Sequence, residues 1–239
     1  MRERVAREFG LPWEKIGVIP NGVNEKDFHL DFDRAGFRGQ YALPHEKLIL
    51  YTGRLVYEKG LHTLLDAMPR ILSSADAKLV IVGDGHLRDD LLAQAQRLGI
   101  TQKIKLTGFV DQKTLISLYD TADVCVVPSL YEPFGIVALE AMAAKAPLVV
   151  SNVGGLSEIV EQGRDGLKVP PSDPRALADA VTKILTDPSF SEWIRTNAHD
   201  KVLRDYNWKG VANLTKRLYD NVLEEHRQVD WKPFKPLTP

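Results

Sequence analysis

The sequence predicts an α/β protein, a Rossmann-like parallel sheet with helices on both faces. Three observations predict it. Short β-branched runs alternate with stretches whose apolar residues fall at helical spacing. The runs are continuously apolar, as expected of strands buried on both sides. The loops after the runs are rich in glycine and charge, and ligands bind at the carboxyl ends of strands in such sheets.

The strand runs are Lys47–Tyr51, Lys78–Val82, Ile104–Leu106, Val124–Val127 and Pro147–Ser151. Between them, Leu61, Leu64, Leu65, Met68 and Leu72 form one helical stripe, and Leu87, Leu91, Leu92 and Leu98 a second. Leu115, Leu118 and Tyr119 fit a shorter helix. A further helix starts near Gly135, in GIVALEAMAAKA. After Gly166–Val169 the pattern turns helical, with a capped helix from Asp173 to about Thr186 and another from Trp208 to His226. The tail VDWKPFKPLTP has three prolines in its last seven residues and reads as extended or disordered, with Trp231 and Phe234 as docking candidates. The expected organisation is a linker helix over 1–15, a ligand-binding domain over 16–226 and a tail over 227–239.

Composition narrows the function. The chain has 239 residues, 44% hydrophobic and 26% charged, with 31 basic against 32 acidic side chains. The basic footprint of a nucleic-acid binder is missing. One cysteine, Cys125, excludes an internal disulfide and favours a reducing, cytoplasmic setting. No apolar run approaches the roughly 20 residues that span a bilayer.

Glu140 is the anomaly. It lies on a helix apolar on nearly every side, sharing a face with Ile136, Val137, Ala143 and Ala144. A carboxylate there is costly without donors, and helical side chains lean toward the amino end, where a ligand would lie. Vicinal hydroxyls such as those of ribose would satisfy it, and so would a buried ion pair with an Arg or Lys. Glu132 precedes the turn Pro133-Phe134-Gly135; it can accept from a sugar or stand as a solvated loop charge. Arg54 and Lys59 lie ahead of a helix start, either as a diphosphate site or as ordinary surface cations.

Other signals fail. VGDGHLR lacks the third glycine of the dinucleotide fingerprint, which argues against a nicotinamide-dependent oxidoreductase. Asp31-Phe32-Asp33 does not follow a buried strand and reads as a loop rather than a metal site. The six histidines show no close ligand pairing. Cys125 reads as a core residue.

IPNGV (Ile19–Val23), GRLVYEKG (Gly53–Gly60), VGDG (Val82–Gly85), GFV (Gly108–Val110), PSLYEPFGIVALEAMA (Pro128–Ala143) and VGGLSEIV (Val153–Val160) follow one another in order. Together they resemble the donor domain of glycosyltransferase family 4, the group 1 glycosyltransferases, one half of a GT-B fold. The resemblance implies retaining transfer of a hexosyl group from a nucleotide-diphosphate sugar (UDP-, GDP- or ADP-linked) to an acceptor hydroxyl, without a bound metal or other cofactor. Arg54 and Lys59, in the loop opened by Gly53, match the cations that bind the diphosphate and stabilise its departure. Glu140 matches the glutamate that holds the ribose hydroxyls, and Glu132 the one that contacts the transferred sugar. The backbone of Phe134, Gly135 and Ile136, with Val137 beyond, faces sugar and phosphate. Gly83 lies in a donor-facing loop, and Gly108, Phe109 and Val110 match the segment near the base.

Family enzymes have two such domains, and the first carries the acceptor site and often a catalytic histidine. The resemblance here begins near Ile16. The expectation is therefore a fragment, a separately expressed domain or half of a split enzyme, weak in donor binding and poor or inactive in transfer alone. The partner is then the N-terminal acceptor domain, through which peripheral association with the inner face of a membrane is left open. The alternatives are a non-catalytic nucleotide-sugar-binding module within a complex and a different GT-B enzyme such as a nucleotide-sugar 2-epimerase.

Overall fold

A computed structural model describes residues 2–28 and 30–228. Six parallel strands form one sheet: β1 (Lys47–Thr52), β2 (Ala77–Val82), β3 (Ile104–Gly108), β4 (Val124–Val127), β5 (Leu148–Ser151) and β6 (Leu167–Val169). Their order is β3-β2-β1-β4-β5-β6. The chain reverses direction across the sheet between β1 and β4, which pair through Ile49–Val124 and Leu50–Cys125. That switch point opens a crevice at the carboxyl edge.

Side chains alternate between two cores, which is why the strands are apolar throughout. Ile49, Tyr51, Leu79, Ile81, Val124 and Val126 face one core, under helices α3 (Leu61–Leu72), α4 (Arg88–Arg97) and α8 (Pro174–Thr186). Leu48, Leu50, Val80, Cys125, Val127 and Val150 face the other, under α5 (Gln112–Thr121), α6 (Ile136–Ala143), α7 (Gly154–Ile159) and α9 (Pro188–Asp205). Each fully buried leucine, isoleucine or valine contributes about 1.5–3 kcal/mol relative to exposure. Cys125 is fully buried, a core residue as its setting predicts.

Asp111 and Asp173 cap α5 and α8 by accepting from Thr114 N and Ala176 N. Asp33 does the same for α2 (Arg34–Gly39) through Gly36 N, so its carboxylate serves as a helix cap. Helix α1 (Arg2–Phe9) precedes the sheet, and α10 (Trp208–Gln228) closes the described chain. The expected helix from Trp208 thus runs on through Arg227 and Gln228; the rest of the expected tail, with Trp231 and Phe234, lies outside the described residues. Among the described residues no helix is long and apolar enough to cross a membrane.

Beyond the short helix α2, three elements exceed the sequence expectation. Strand β6 has only three residues, interrupted by the half-exposed Lys168. Helix α9 buries Ile194, Ala198, His199 and Val202, a stripe too small and polar to show as a helical period. Helix α7 opens on Gly154-Gly155, residues of poor helix propensity.

Candidate functional site

The crevice is built by loops that approach one another through glycines. Gly60 takes φ +67°, and a Cβ there would stand 2.0 Å from Pro128 O, so the start of α3 lies directly on the end of β4. Leu130 N donates to Glu58 O at 2.8 Å, tying the loop after β4 to the loop after β1. Gly154 brings α7 onto Glu132 O in the same way (2.1 Å to a Cβ), and Gly155 N donates to that carbonyl at 3.0 Å. Gly83 N donates to Gly108 O at 2.9 Å, which joins the loops after β2 and β3.

This frame brings Lys59 and Glu132 together. Lys59 Nζ lies 2.6 Å from Glu132 Oε2, and Ser129 Oγ donates to the same oxygen at 3.3 Å. Glu132 is only 8% exposed, so it is not a solvated loop charge. Arg54 stays apart from that pair. Its side chain is 68% exposed and reaches Glu58 at 3.7 Å, while its carbonyl accepts from the buried Tyr51 hydroxyl at 3.0 Å.

Glu140 sits on the open side of α6. Ala138, Leu139, Ala141 and Met142 are buried, whereas Ile136 is exposed and Val137 and Glu140 are half-buried. Among the described residues the side chain makes no ion pair: its partner is the Tyr119 hydroxyl, which donates to Oε2 at 2.9 Å. Burial raises the carboxyl above its ordinary pKa, and the Tyr119 hydrogen bond offsets part of that rise. Gly135, at φ +100°, packs under Leu156 and starts α6 beside the crevice; the first N–H groups of a helix have no partner within it. Phe134 is half-buried next to it. On the β3 side, Gly108 has φ +72°, Phe109 is 79% exposed and Val110 packs into the core.

Most predicted site residues therefore lie on loops or helix starts at the carboxyl edge, while Gly108 ends β3 and Glu140 lies midway along α6. Sequence reasoning did not find Thr52, Tyr119 and Ser129 as polar partners. In the sequence Tyr119 is part of an apolar stripe; a phenol three residues before Ala122-Asp123 and one turn from Leu115 gives no separate signal. A depression of about 490 Å³ lined by Phe28, Asp31, Arg34, Asp120 and Lys145 lies at the opposite edge and holds none of the predicted residues.

A doubly wound sheet with a charged crevice at its switch point is a Rossmann-like domain of the GT-B glycosyltransferase type. The family model for glycosyl transferases group 1 matches residues 33–201, and the chain belongs to that family. It is similar to a glycosyltransferase of Methanocaldococcus jannaschii, 43% identical over 228 residues that cover 94% of this chain and 58% of the relative. Sucrose-phosphate synthase from Thermosynechococcus elongatus matches with a TM-score of 0.80 at 35% identity, over 93% of this chain and 56% of that one. Anabaena HepE in complex with UDP matches with a TM-score of 0.82 at 25% identity, over 93% of this chain and 61% of that one. The chain thus spans little more than half the length of these relatives.

Proposed function

We propose that this chain is the donor-binding side of a retaining glycosyltransferase, holding a nucleotide-diphosphate hexose for transfer to an acceptor hydroxyl. The observation that carries the reading is Glu140, a half-buried carboxylate on the open face of α6, held among the described residues by one phenol and raised in pKa. Such a group is poised to accept from two vicinal hydroxyls, each charge-assisted hydrogen bond contributing about 1.5–3 kcal/mol. UDP in the HepE complex favours uridine nucleotides as the first ligands to try.

In this reading the ribose rests on Glu140, and the base lies toward Gly83, Gly108, Phe109 and Val110. The diphosphate meets Gly53, Arg54 and Lys59 and the amide groups at the start of α6. Those two cations stabilise charge on the departing diphosphate, so the proposal calls for no metal ion. Glu132, with Phe134, Gly135, Ile136 and Val137, meets the hexose. Lys59 is shared: it screens Glu132 before donor arrives and turns toward phosphate afterward. The acceptor site belongs to residues outside this sequence, in the same or another polypeptide.

Calorimetry against UDP, GDP, ADP and UDP-glucose tests the assignment, with Glu140→Gln as the control. UDP should bind, and the variant should bind it at least about 10-fold more weakly, the loss expected for one charged hydrogen bond. Absence of any nucleotide binding at millimolar concentration, or equal binding by the variant, refutes the proposal. Robust sugar transfer by this chain alone would place the acceptor site within it instead.

A further inference from the structure

Tyr119, on α5, is fully buried, and its hydroxyl lies between two polar atoms. Thr52 Oγ1 is 2.8 Å away and Glu140 Oε2 is 2.9 Å away. An ionised carboxylate can only accept, so the phenol gives its single proton to Glu140. The Thr52 hydroxyl must then donate to the phenol oxygen. The last residue of β1, the last turn of α5 and the open face of α6 thus form one directed chain toward the ligand edge.

Space filling alone does not account for it. A phenylalanine would fill the same volume, and a buried hydroxyl adds a desolvation cost unless it is bonded. Here the bond goes to a carboxylate whose own burial is unfavourable. Burial and the Glu140 charge hold the Tyr119 phenol well above its ordinary pKa, so it remains a donor. The other titratable group facing Glu140 is the Cys125 thiol of β4, pushed up by burial and then by Glu140.

We infer that Tyr119 is a positioning residue for donor binding: its hydroxyl, oriented by Thr52, fixes Glu140 Oε2 and leaves Oε1 for the ribose hydroxyls. The inference rests on the reading of Glu140 as the ribose-binding carboxylate. It adds a buried element of the site that touches no ligand and acts through a rotamer and a protonation state.

The test is calorimetry of Tyr119→Phe with UDP and with a uridine diphosphate lacking both ribose hydroxyls, from about pH 5 to pH 8. Tyr119→Phe should bind UDP roughly 10-fold more weakly, as expected for one lost hydrogen bond to a charged group. The loss should grow as pH falls, because Glu140 without its donor takes up a proton more readily. Wild type and variant should bind the dideoxy analogue alike, a result that general disruption would not give. Thr52→Val should show the same pattern with a smaller loss, and it carries the test if Tyr119→Phe fails to fold. Equal UDP binding by wild type and Tyr119→Phe overturns the inference; if Glu140→Gln is still weak, the reading of Glu140 survives. Equal binding by Glu140→Gln overturns both. A matching loss for UDP and its dideoxy analogue also overturns the inference, since it marks a packing defect.

Discussion

Compared across the two edges of the sheet, Glu140 stands apart from the other buried and half-buried carboxylates. At the amino edge each is saturated. Asp165, 2% exposed, accepts from Lys201 Nζ at 2.8 Å and Glu161 N at 2.7 Å. Asp123 accepts from Arg38 and from Leu48 N. Glu46, 4% exposed, accepts from Lys103 and Leu43 N. Burial alone would raise the Glu46 carboxyl, but those hydrogen bonds and the Lys103 charge hold it below its ordinary pKa. At the carboxyl edge Glu132 is likewise paired, with Lys59 and Ser129, whereas Glu140 has one neutral donor and is raised. The fold therefore has the means to satisfy acidic groups and leaves this one short, which marks it for a ligand.

The largest effect that would sharpen this contrast lies at the amino edge. Lys201 also donates to Ile159 O, and its side chain is 16% exposed. Lys201→Met would leave Asp165 buried with only one backbone donor. Removing one member of a buried pair costs about 3 kcal/mol at the low end. In a chain of this size that lowers Tm by roughly 6–12 °C. Thermal melts should show the loss, and adding Asp165→Asn should restore part of it. An unchanged Tm would mean that the amino-edge pairs are incidental, and the comparison would break.

A smaller effect of opposite sign is expected at Glu140. Its folded pKa is raised, so between the unfolded and folded values the folded chain holds more protons than the unfolded one. Stability then falls as pH rises through that window and stays lower at neutral pH. Glu140→Gln removes the cost and should raise Tm at pH 7 by roughly 2–4 °C, the response to about 1 kcal/mol. The gain should vanish below about pH 4, where the unfolded carboxyl is also protonated. Glu46 has the reverse sign: its stabilisation is present at neutral pH and is lost as pH falls through its lowered folded value. Melts of wild type and Glu140→Gln across pH decide the point; a destabilised variant at pH 7 would show Glu140 to be structural.

What could be read from the sequence follows from where physical signals are local. Five strands showed because burial on both faces makes each a continuous apolar run. Strand β6 did not, because three residues centred on a lysine carry no period. Helix α9 did not show either, because its buried stripe includes the small Ala198 and the polar His199. Glu140 stood out because a charge interrupts an apolar helix. The Lys59–Glu132 pair could not be derived from the residues, since they are 73 positions apart and meet only through the glycine contacts at the crevice. Tyr119 was hidden because a buried phenol that orients a ligand group and one that fills space share the same helical spacing.

The smallest effect tests whether the carboxyl-edge cations belong to the fold or to a ligand. Arg54 is exposed and reaches only Glu58, an i,i+4 pair at 3.7 Å. Exposed pairs of this kind contribute about 0–1 kcal/mol, so Arg54→Ala should leave stability within about 0.5 kcal/mol and Tm nearly unchanged. The same substitution should weaken UDP binding while leaving uridine binding unaltered, because only the diphosphate carries the charge that Arg54 meets. Melts and paired titrations separate the two roles. A drop in Tm without a change in the ratio of UDP to uridine affinity would return Arg54 to the scaffold. It would also reduce the under-paired side of the sheet to Glu140 alone.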